Sequence, residues 1–218
     1  MEGKALQPGQ GFVIQHDLLP RLAGRLIPGV ISRGEAGAVY LTFDDGPDAV
    51  VTPLVLDILR EQDARATFFV TGGQAAQFPE IVRRAARDGH SLGIHGYAHR
   101  RLVRMSREAV IGDLTQARQA VIDATGESPR LFRPPYGSLT RRLLRAARES
   151  GLTVVLWSRS ARDWKPATRD QLIRRITSGI AEGEIILLHD RGEFAGALVN
   201  ALPEAIRRLQ ERFPLGRL

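Results

Sequence analysis

The sequence predicts one α/β domain built on a mostly parallel sheet. Two observations predict it. From residue 38 onward, short apolar runs rich in β-branched and aromatic residues alternate with amphipathic helical stretches, and no break in composition divides the chain of 218 residues. Hydrophobic residues make up 43% and charged residues 25%, the balance of a globular protein with a sizeable core.

Residues 1–37 carry Pro8, Pro20, Pro28 and several glycines, which predicts an irregular lead-in packed on the domain, with a short helix around Asp17 to Leu26. Residues 38–218 form the main domain. Strands are expected at 38–43, 66–70, 91–94, 130–133, 153–157 and 184–188, with a short final strand within 213–218, about seven in all. The helices between them carry start and stop signals. Thr52 and Pro53 read as N-cap and N1 of a helix whose inward stripe is Val55, Ile58 and Leu59. Helices follow at 75–88, ending at Gly89; at 106–124, opened by Ser106; and at 140–150, ending at Gly151. Thr168 and Gln171 make a capping box for 168–181, and a last helix covers about 196–211.

The composition excludes several chemistries. There is no cysteine, hence no disulfide framework and no thiolate metal site. The net charge of +7 comes almost wholly from arginine, since Lys4 and Lys165 are the only lysines, and most of the arginines fall on the solvated faces of predicted helices. No run approaches the roughly 18 apolar residues of a spanning helix. The N-terminal stretch Met1 to Phe12 has no continuous apolar segment, so no signal peptide is expected. No GxGxxG follows the first strand, which argues against a dinucleotide-binding domain.

The chemistry-bearing residues gather at strand ends. The run ending at Phe43 stops at Asp44-Asp45, and Gly46-Pro47 breaks it. Two adjacent carboxylates repel each other. A bound cation accounts for them, one acid ligating and the other free for proton work; a solvated turn is the alternative. His95 and His99 follow the strand at 91–94 with i, i+4 spacing, which on a helical turn puts both imidazoles on one face. Asp45, His95 and His99 would make a two-histidine, one-carboxylate set with open positions, suited to zinc, with iron, cobalt or manganese as alternatives. His90 reads as a buried, hydrogen-bonded residue, and His16 has no assignment. Arg133 ends another strand, ahead of Pro134-Pro135-Tyr136, where it can grip a carboxylate. Trp157 closes the fifth strand, Asp163-Trp164 lies in the loop beyond it, and Leu187-Leu188-His189-Asp190 ends the sixth. Acid, histidine pair, arginine and histidine on four separate strand ends form one constellation.

Thr42-Phe43-Asp44-Asp45-Gly46-Pro47, His95-x3-His99, Arg133-Pro134-Pro135-Tyr136, Asp163-Trp164 and Leu187-x-His189 resemble, in order and spacing, the five motifs of the polysaccharide deacetylases, the NodB-homology domain of carbohydrate esterase family 4. The resemblance spans 38 to about 211. It implies a distorted (β/α) barrel with fewer than eight regular units, and a metal-dependent hydrolase that removes N-acetyl groups from a polymer or oligosaccharide containing N-acetylglucosamine. It also implies roles. Asp44 would be the general base and His189 the general acid. Asp45, His95 and His99 would bind a divalent metal, zinc first, with cobalt or manganese as alternatives. Arg133 would orient Asp44, Asp163 would pair with Arg133, and the Tyr136 N–H would help stabilise the oxyanion. Leu187 and Trp164 would line the pocket for the acetyl group, with Pro134 also contacting substrate.

Two positions depart from the family pattern. Gly96 stands where a serine or threonine usually ties down the loop between the histidines, so weaker metal binding or a looser loop is expected. Ser160 stands where many members have an aspartate, which bears on substrate preference. The alternatives are an O-acetyl esterase acting on xylan-type glycans and a weakly catalytic glycan-binding module. A phospho-receiver domain is excluded, because it needs a lysine near its later strands and Lys165 lies in the Asp163-Trp164 loop. The expected partner is a glycan, with no nucleic acid and no transmembrane segment, and a monomer is expected. A glycan substrate points to the cell envelope or exterior, although no leader is visible.

Overall fold

The computed structural model describes residue 24 and residues 26–218, so almost all of the helix expected around Asp17 to Leu26, with His16, lies outside the described residues. Nine strands are described: β1 (Val30–Ile31), β2 (Val39–Asp44), β3 (Thr67–Val70), β4 (Ser91–Ile94), β5 (Leu131–Phe132), β6 (Thr153–Val155), β7 (Arg159–Ser160), β8 (Ile185–His189) and β9 (Leu215–Gly216). Every pairing between them is parallel. The hydrogen-bonded order is β1-β6-β5-β4-β3-β2-β8-β7, with β9 paired to the start of β2.

The sheet curls into a distorted barrel that its hydrogen bonds do not close, since β1 and β7 are its two ends. One segment crosses the gap. The strand expected at 153–157 stops at Val155; Leu156 N–H still donates to Ile31 of β1, but Ser158 N–H donates to Ile185 of β8. The chain thus passes from one sheet end to the other within three residues, and β7 continues on the far side.

Seven helices are described on the outside: α1 (Val51–Glu61), α2 (Gly72–Gln77), α3 (Pro79–Arg87), α4 (Arg107–Thr125), α5 (Arg141–Glu149), α6 (Arg169–Thr177) and α7 (Ala195–Gln210). Ser106 caps α4 and Gly126 ends it with φ 79°, while Thr168 and Gln171 form the expected capping box of α6. Three boundaries differ from expectation. Thr52 is not the N-cap of α1. Val50 holds that position; Asp48 Oδ1 accepts from Val50 and Val51 N–H at 2.9 Å each, and Thr52 Oγ1 accepts from Asp48 N–H at 2.7 Å and donates to Asp190 Oδ2 at 2.6 Å. The helix expected at 75–88 is two helices, because Pro79 disfavours helical backbone at Phe78, which sits at φ −129°, ψ 57°. The helix expected at 168–181 ends at Thr177, where Ser178 turns extended and Gly179 takes φ 64°.

The period of two in the strands sorts the residues between two layers. Val39, Leu41 and Phe43 of β2 join the main core under the helices, with Phe68, Val70, Val154, Ile186 and Leu188. The alternate residues Tyr40, Phe69, Val155 and Ile185 form a small cluster inside the barrel. The same alternation turns Thr42 and Asp44 inward, above that cluster. Phe43 stacks on Phe68 with ring centroids 5.0 Å apart, and both are 1% exposed. Phe68→Ala is expected to destabilise the fold by about 3–5 kcal/mol, read as a lower urea midpoint at unchanged slope. A loss under about 1 kcal/mol would show that the core is not tightly packed there.

Candidate active site

The site is assembled at the carboxyl ends of the strands. Asp44 and His189 are the last residues of β2 and β8 and face each other in register; His95 follows β4, Arg133 follows β5, and Asp163 lies just past β7. Arg133 is the largest fully buried side chain among the described residues. Its Nη1 donates to Asp44 Oδ1 at 2.7 Å and to Thr42 Oγ1 at 2.8 Å, and Nη2 and Nε donate to the carbonyls of Leu156 at 3.0 Å and Val155 at 3.4 Å. Its guanidinium lies over the Phe69 ring, 4.1 Å from the centroid. A buried cation with this many acceptors is held in one orientation, and it holds Asp44 in turn.

Asp45, the next residue, turns away with φ 77°. Its Oδ1 is buried and has no hydrogen-bond partner, although it lies 3.1 Å from His99 Nε2 and 3.5 Å from His95 Nε2. His95 Nδ1 is 2.6 Å from the Arg133 carbonyl. A carbonyl only accepts, so Nδ1 carries the proton and Nε2 presents a lone pair toward Asp45. Burial lowers the pKa of His95 and keeps the ring neutral. Burial opposes ionisation of Asp45, but the His99 imidazole beside it, helped by His189, outweighs burial and holds the carboxyl far below the usual range.

Donor atoms of Asp45, His95 and His99 lie within 4.8 Å of one another. Ligands about 2.0–2.2 Å from a shared ion sit roughly 3–3.5 Å apart, the spacing of the two Asp45–histidine contacts. The orphaned Asp45 oxygen, the fixed His95 tautomer and the mixed nitrogen–oxygen set all fit a divalent metal. The histidines do not meet on a helical turn as the spacing suggested. They lie in a loop that doubles back, with Gly96 at φ 75° and His99 at φ 51°.

On the other side, Asp163 holds His189. Its Oδ2 accepts the His189 backbone N–H at 2.7 Å, and its Oδ1 lies 2.9 Å from His189 Nδ1. The expected pairing of Asp163 with Arg133 is therefore corrected: both Asp163 oxygens face His189, and the guanidinium is taken up by Asp44, Thr42 and carbonyls. Burial would depress the pKa of His189, but Asp163, helped by Asp44 and Asp45, overcomes it and lifts the ring to about 9. Trp164, 45% exposed, stands edge-on to His189 with centroids 5.2 Å apart.

These residues line a cleft of about 850 Å³ together with Tyr136, Trp157, Leu187, Arg101 and Phe194. Tyr136 sits at φ 61° in a tight 3₁₀ turn, its ring 4.6 Å from that of His99 and under the Arg101 guanidinium. Pro134 does not line the cleft. It is buried, and its carbonyl accepts from Gly137 N–H at 2.9 Å, so it shapes the turn. His90 is buried as expected, with Nδ1 accepting from Ala66 N–H at 3.2 Å and burial lowering its pKa to about 4. Arg101 and Phe194 carried no signal in the sequence, because neither belongs to a recognisable motif.

The sequence profile of the polysaccharide deacetylase family matches residues 32–155. The chain belongs to the polysaccharide deacetylase family. It is 38% identical over 152 residues to the peptidoglycan-N-acetylglucosamine deacetylase PgdA of Listeria monocytogenes, covering 70% of this chain and 32% of that protein. The chain thus spans about a third of that relative's length. It is 40% identical over 154 residues to a chitooligosaccharide deacetylase of Azorhizobium caulinodans, covering 70% of this chain and 73% of that one. Among solved structures, the Bc1960 peptidoglycan N-acetylglucosamine deacetylase superposes with a TM-score of 0.86 at 30% identity, over 90% of this chain and 94% of that one.

The His189–Asp163 pair has a measurable consequence. Its folded pKa of about 9 lies above the ordinary 6.5, so the pair's stabilising contribution is fully present below pH 6.5 and is lost as pH rises through 9. In the metal-free Asp163→Asn variant the ring is expected to titrate well below the wild-type value, and that part of the pH dependence of stability to disappear. NMR titration of the imidazoles checks this; an unmoved His189 titration would break the link to Asp163.

Proposed function

We propose that this chain is a metal-dependent deacetylase that hydrolyses N-acetyl groups on a glycan containing N-acetylglucosamine, of the peptidoglycan or chitooligosaccharide kind that its relatives' names describe. The observation that carries the reading is one cleft with three parts: a carboxylate fixed by Arg133, a donor set converging on an orphaned oxygen, and a histidine held by Asp163 opposite.

Amide hydrolysis needs an activated water, stabilised charge on the acetyl oxygen and a proton for the departing amine. A divalent metal held by Asp45, His95 and His99, zinc first, would lower the pKa of a bound water and polarise the acetyl carbonyl. Asp44, locked by Arg133 through one oxygen, has its other oxygen 3.7 Å from His95 Nε2, beside the ligand set, where it can take the water's proton. His189, with Nδ1 engaged by Asp163, turns its Nε2 edge to the cleft and is protonated at neutral pH, so it can give a proton to the leaving nitrogen. The Tyr136 N–H, aimed by its left-handed backbone, would assist the developing oxyanion. Leu187 and Trp164 wall the place for the acetyl methyl. No covalent enzyme intermediate is needed.

The test is acetate release from N-acetylglucosamine oligomers by chelator-stripped protein after zinc, cobalt or manganese is restored. Release that returns with metal is expected, and none with any metal bound would sink the reading. Asp44→Asn is expected to lose about 10²–10⁴-fold in kcat with its metal retained; full activity would rule out Asp44 as base. Replacing His189 should cost more on the amide than on acetylated xylan, because an alkoxide leaves more easily than an amine. Faster wild-type hydrolysis of the ester would favour the esterase alternative.

A further inference from the structure

Gly96 leaves the His95–His99 loop without the hydroxyl expected between the two histidines, yet four backbone hydrogen bonds fasten the loop around that point. His95 N–H donates to Val70 O at 2.7 Å, and Gly96 O and Tyr97 O accept the first two N–H groups of α2, from Gly72 at 2.9 Å and Gly73 at 2.8 Å. The fourth, from Tyr97 N–H, goes to a side chain of a different element: Asp113 Oδ1 of α4, at 2.8 Å.

Asp113 is out of place by composition. It lies on the buried stripe of α4 with Val110, Leu114, Ala117 and Val121, and is only 9% exposed. A carboxylate on an apolar stripe is unfavourable unless something there needs it. Gly96 and Asp113 also fit each other. A Cβ on Gly96 would stand 3.1 Å from Asp113 Oδ1, and the backbone φ of +75° disfavours any side chain. A hydroxyl residue at 96 would crowd the carboxylate that now does the fastening.

We propose that Asp113 is the positioning residue of the metal loop: by holding Tyr97 N–H from α4, it sets the approach of His95 and His99 and so tunes affinity for a divalent cation. The inference rests on the metal-site reading above. Asp113 touches neither the cation nor the substrate. It acts through two peptide units, as groups behind metal ligands do, and loss of such a group typically weakens metal binding 10–100-fold.

The experiment titrates metal-free protein with zinc against a chromophoric chelator, and records hydrogen exchange of the Tyr97 amide and the melting temperature of the same metal-free samples. Asp113→Ala is expected to bind zinc about tenfold or more weakly and to lose protection at Tyr97, with little change in melting temperature. Asp113→Asn keeps size and an acceptor but loses the charge-assisted bond, and is expected to fall between wild type and Asp113→Ala. Zinc affinity unchanged in Asp113→Ala, or in Asp113→Asn should the alanine chain not fold, overturns the inference. So does a loss of affinity that only tracks a fall in metal-free stability. A wild-type chain that binds no zinc overturns the metal-site reading and this inference together; a wild type that binds, with variants that match it, overturns this inference alone.

Discussion

The buried Arg133 is the constraint around which the rest of the site is arranged. A guanidinium with no solvent exposure is tolerable only if its donors are met, and the carbonyls of Val155 and Leu156, Thr42 and Asp44 meet them. Those partners come from β2 and from the segment that leaves β6, while Arg133 itself follows β5. One side chain thus ties together strands that are not all neighbours, at the end of the barrel where the sheet could otherwise splay. Thr42 donates in turn to Ile186 O at 2.8 Å, which carries the tie into β8. The apolar cluster inside the barrel supplies the floor, with Phe69 under the guanidinium. Removing either Asp44 or Arg133 would strand its buried partner, so the pair serves stability and site geometry at once.

Around that fixed centre the chain accepts strained backbone. Asp45, His99 and Tyr136, at φ 77°, 51° and 61°, are non-glycine residues in the left-handed region, and all three line the cleft. Such residues persist only where the surroundings over-determine them. Here the surroundings can be named: β2 pairing up to Asp44, the α2 amides on the histidine loop, and the Pro134 carbonyl closing the 3₁₀ turn before Gly137. The strain re-aims side chains that regular strands would have sent elsewhere. Asp45 would follow the strand's alternation toward the helices, and its positive φ turns it to the histidines instead.

Much of this was legible before any coordinates. The alternating strands and helices, the capping box at Thr168 and the strand-end carboxylates are local signals, and local signals survive folding. What was hidden depended on distant partners or very short elements. β1 and β7 are two residues each and lie in Gly- and Arg-rich stretches with no apolar run to mark them, unlike the equally short β5 and β9. Thr52 looked like a cap because the sequence cannot show that Asp48 reaches the helix start first, or that Asp190 is buried beside Thr52. The i, i+4 spacing of His95 and His99 suggested a helix, whereas the pair converges through a loop that Gly96 permits. Asp163 and Arg133 both lie beyond strand ends, so their pairing was reasonable by charge; the backbone N–H of His189, invisible in a sequence, decides the partner. Asp113 gave no signal at all, since a lone acid on a helix ordinarily reads as a solvated face.

The histidines show why residue type alone could not assign roles. His90, His95 and His189 are the same side chain in three settings, the first two buried and the third at the cleft wall. His90 meets a backbone donor, and burial pushes it down to about 4; His95 is also buried and also pushed down, yet its carbonyl partner fixes the tautomer that leaves Nε2 open. His189 is partly exposed to the cleft and faces a carboxylate that lifts its pKa to about 9. The partner on Nδ1 therefore separates the three: an amide donor marks a structural histidine, and under the proposed mechanism a carbonyl sets up a ligand and a carboxylate a proton donor. A cleft that hydrolyses an amide needs the second and third kinds to coexist a few ångströms apart without exchanging character. The rigid strand ends make that stable, because Arg133 O and Asp163 are each fixed by their own element, and neither histidine can rotate to borrow the other's partner.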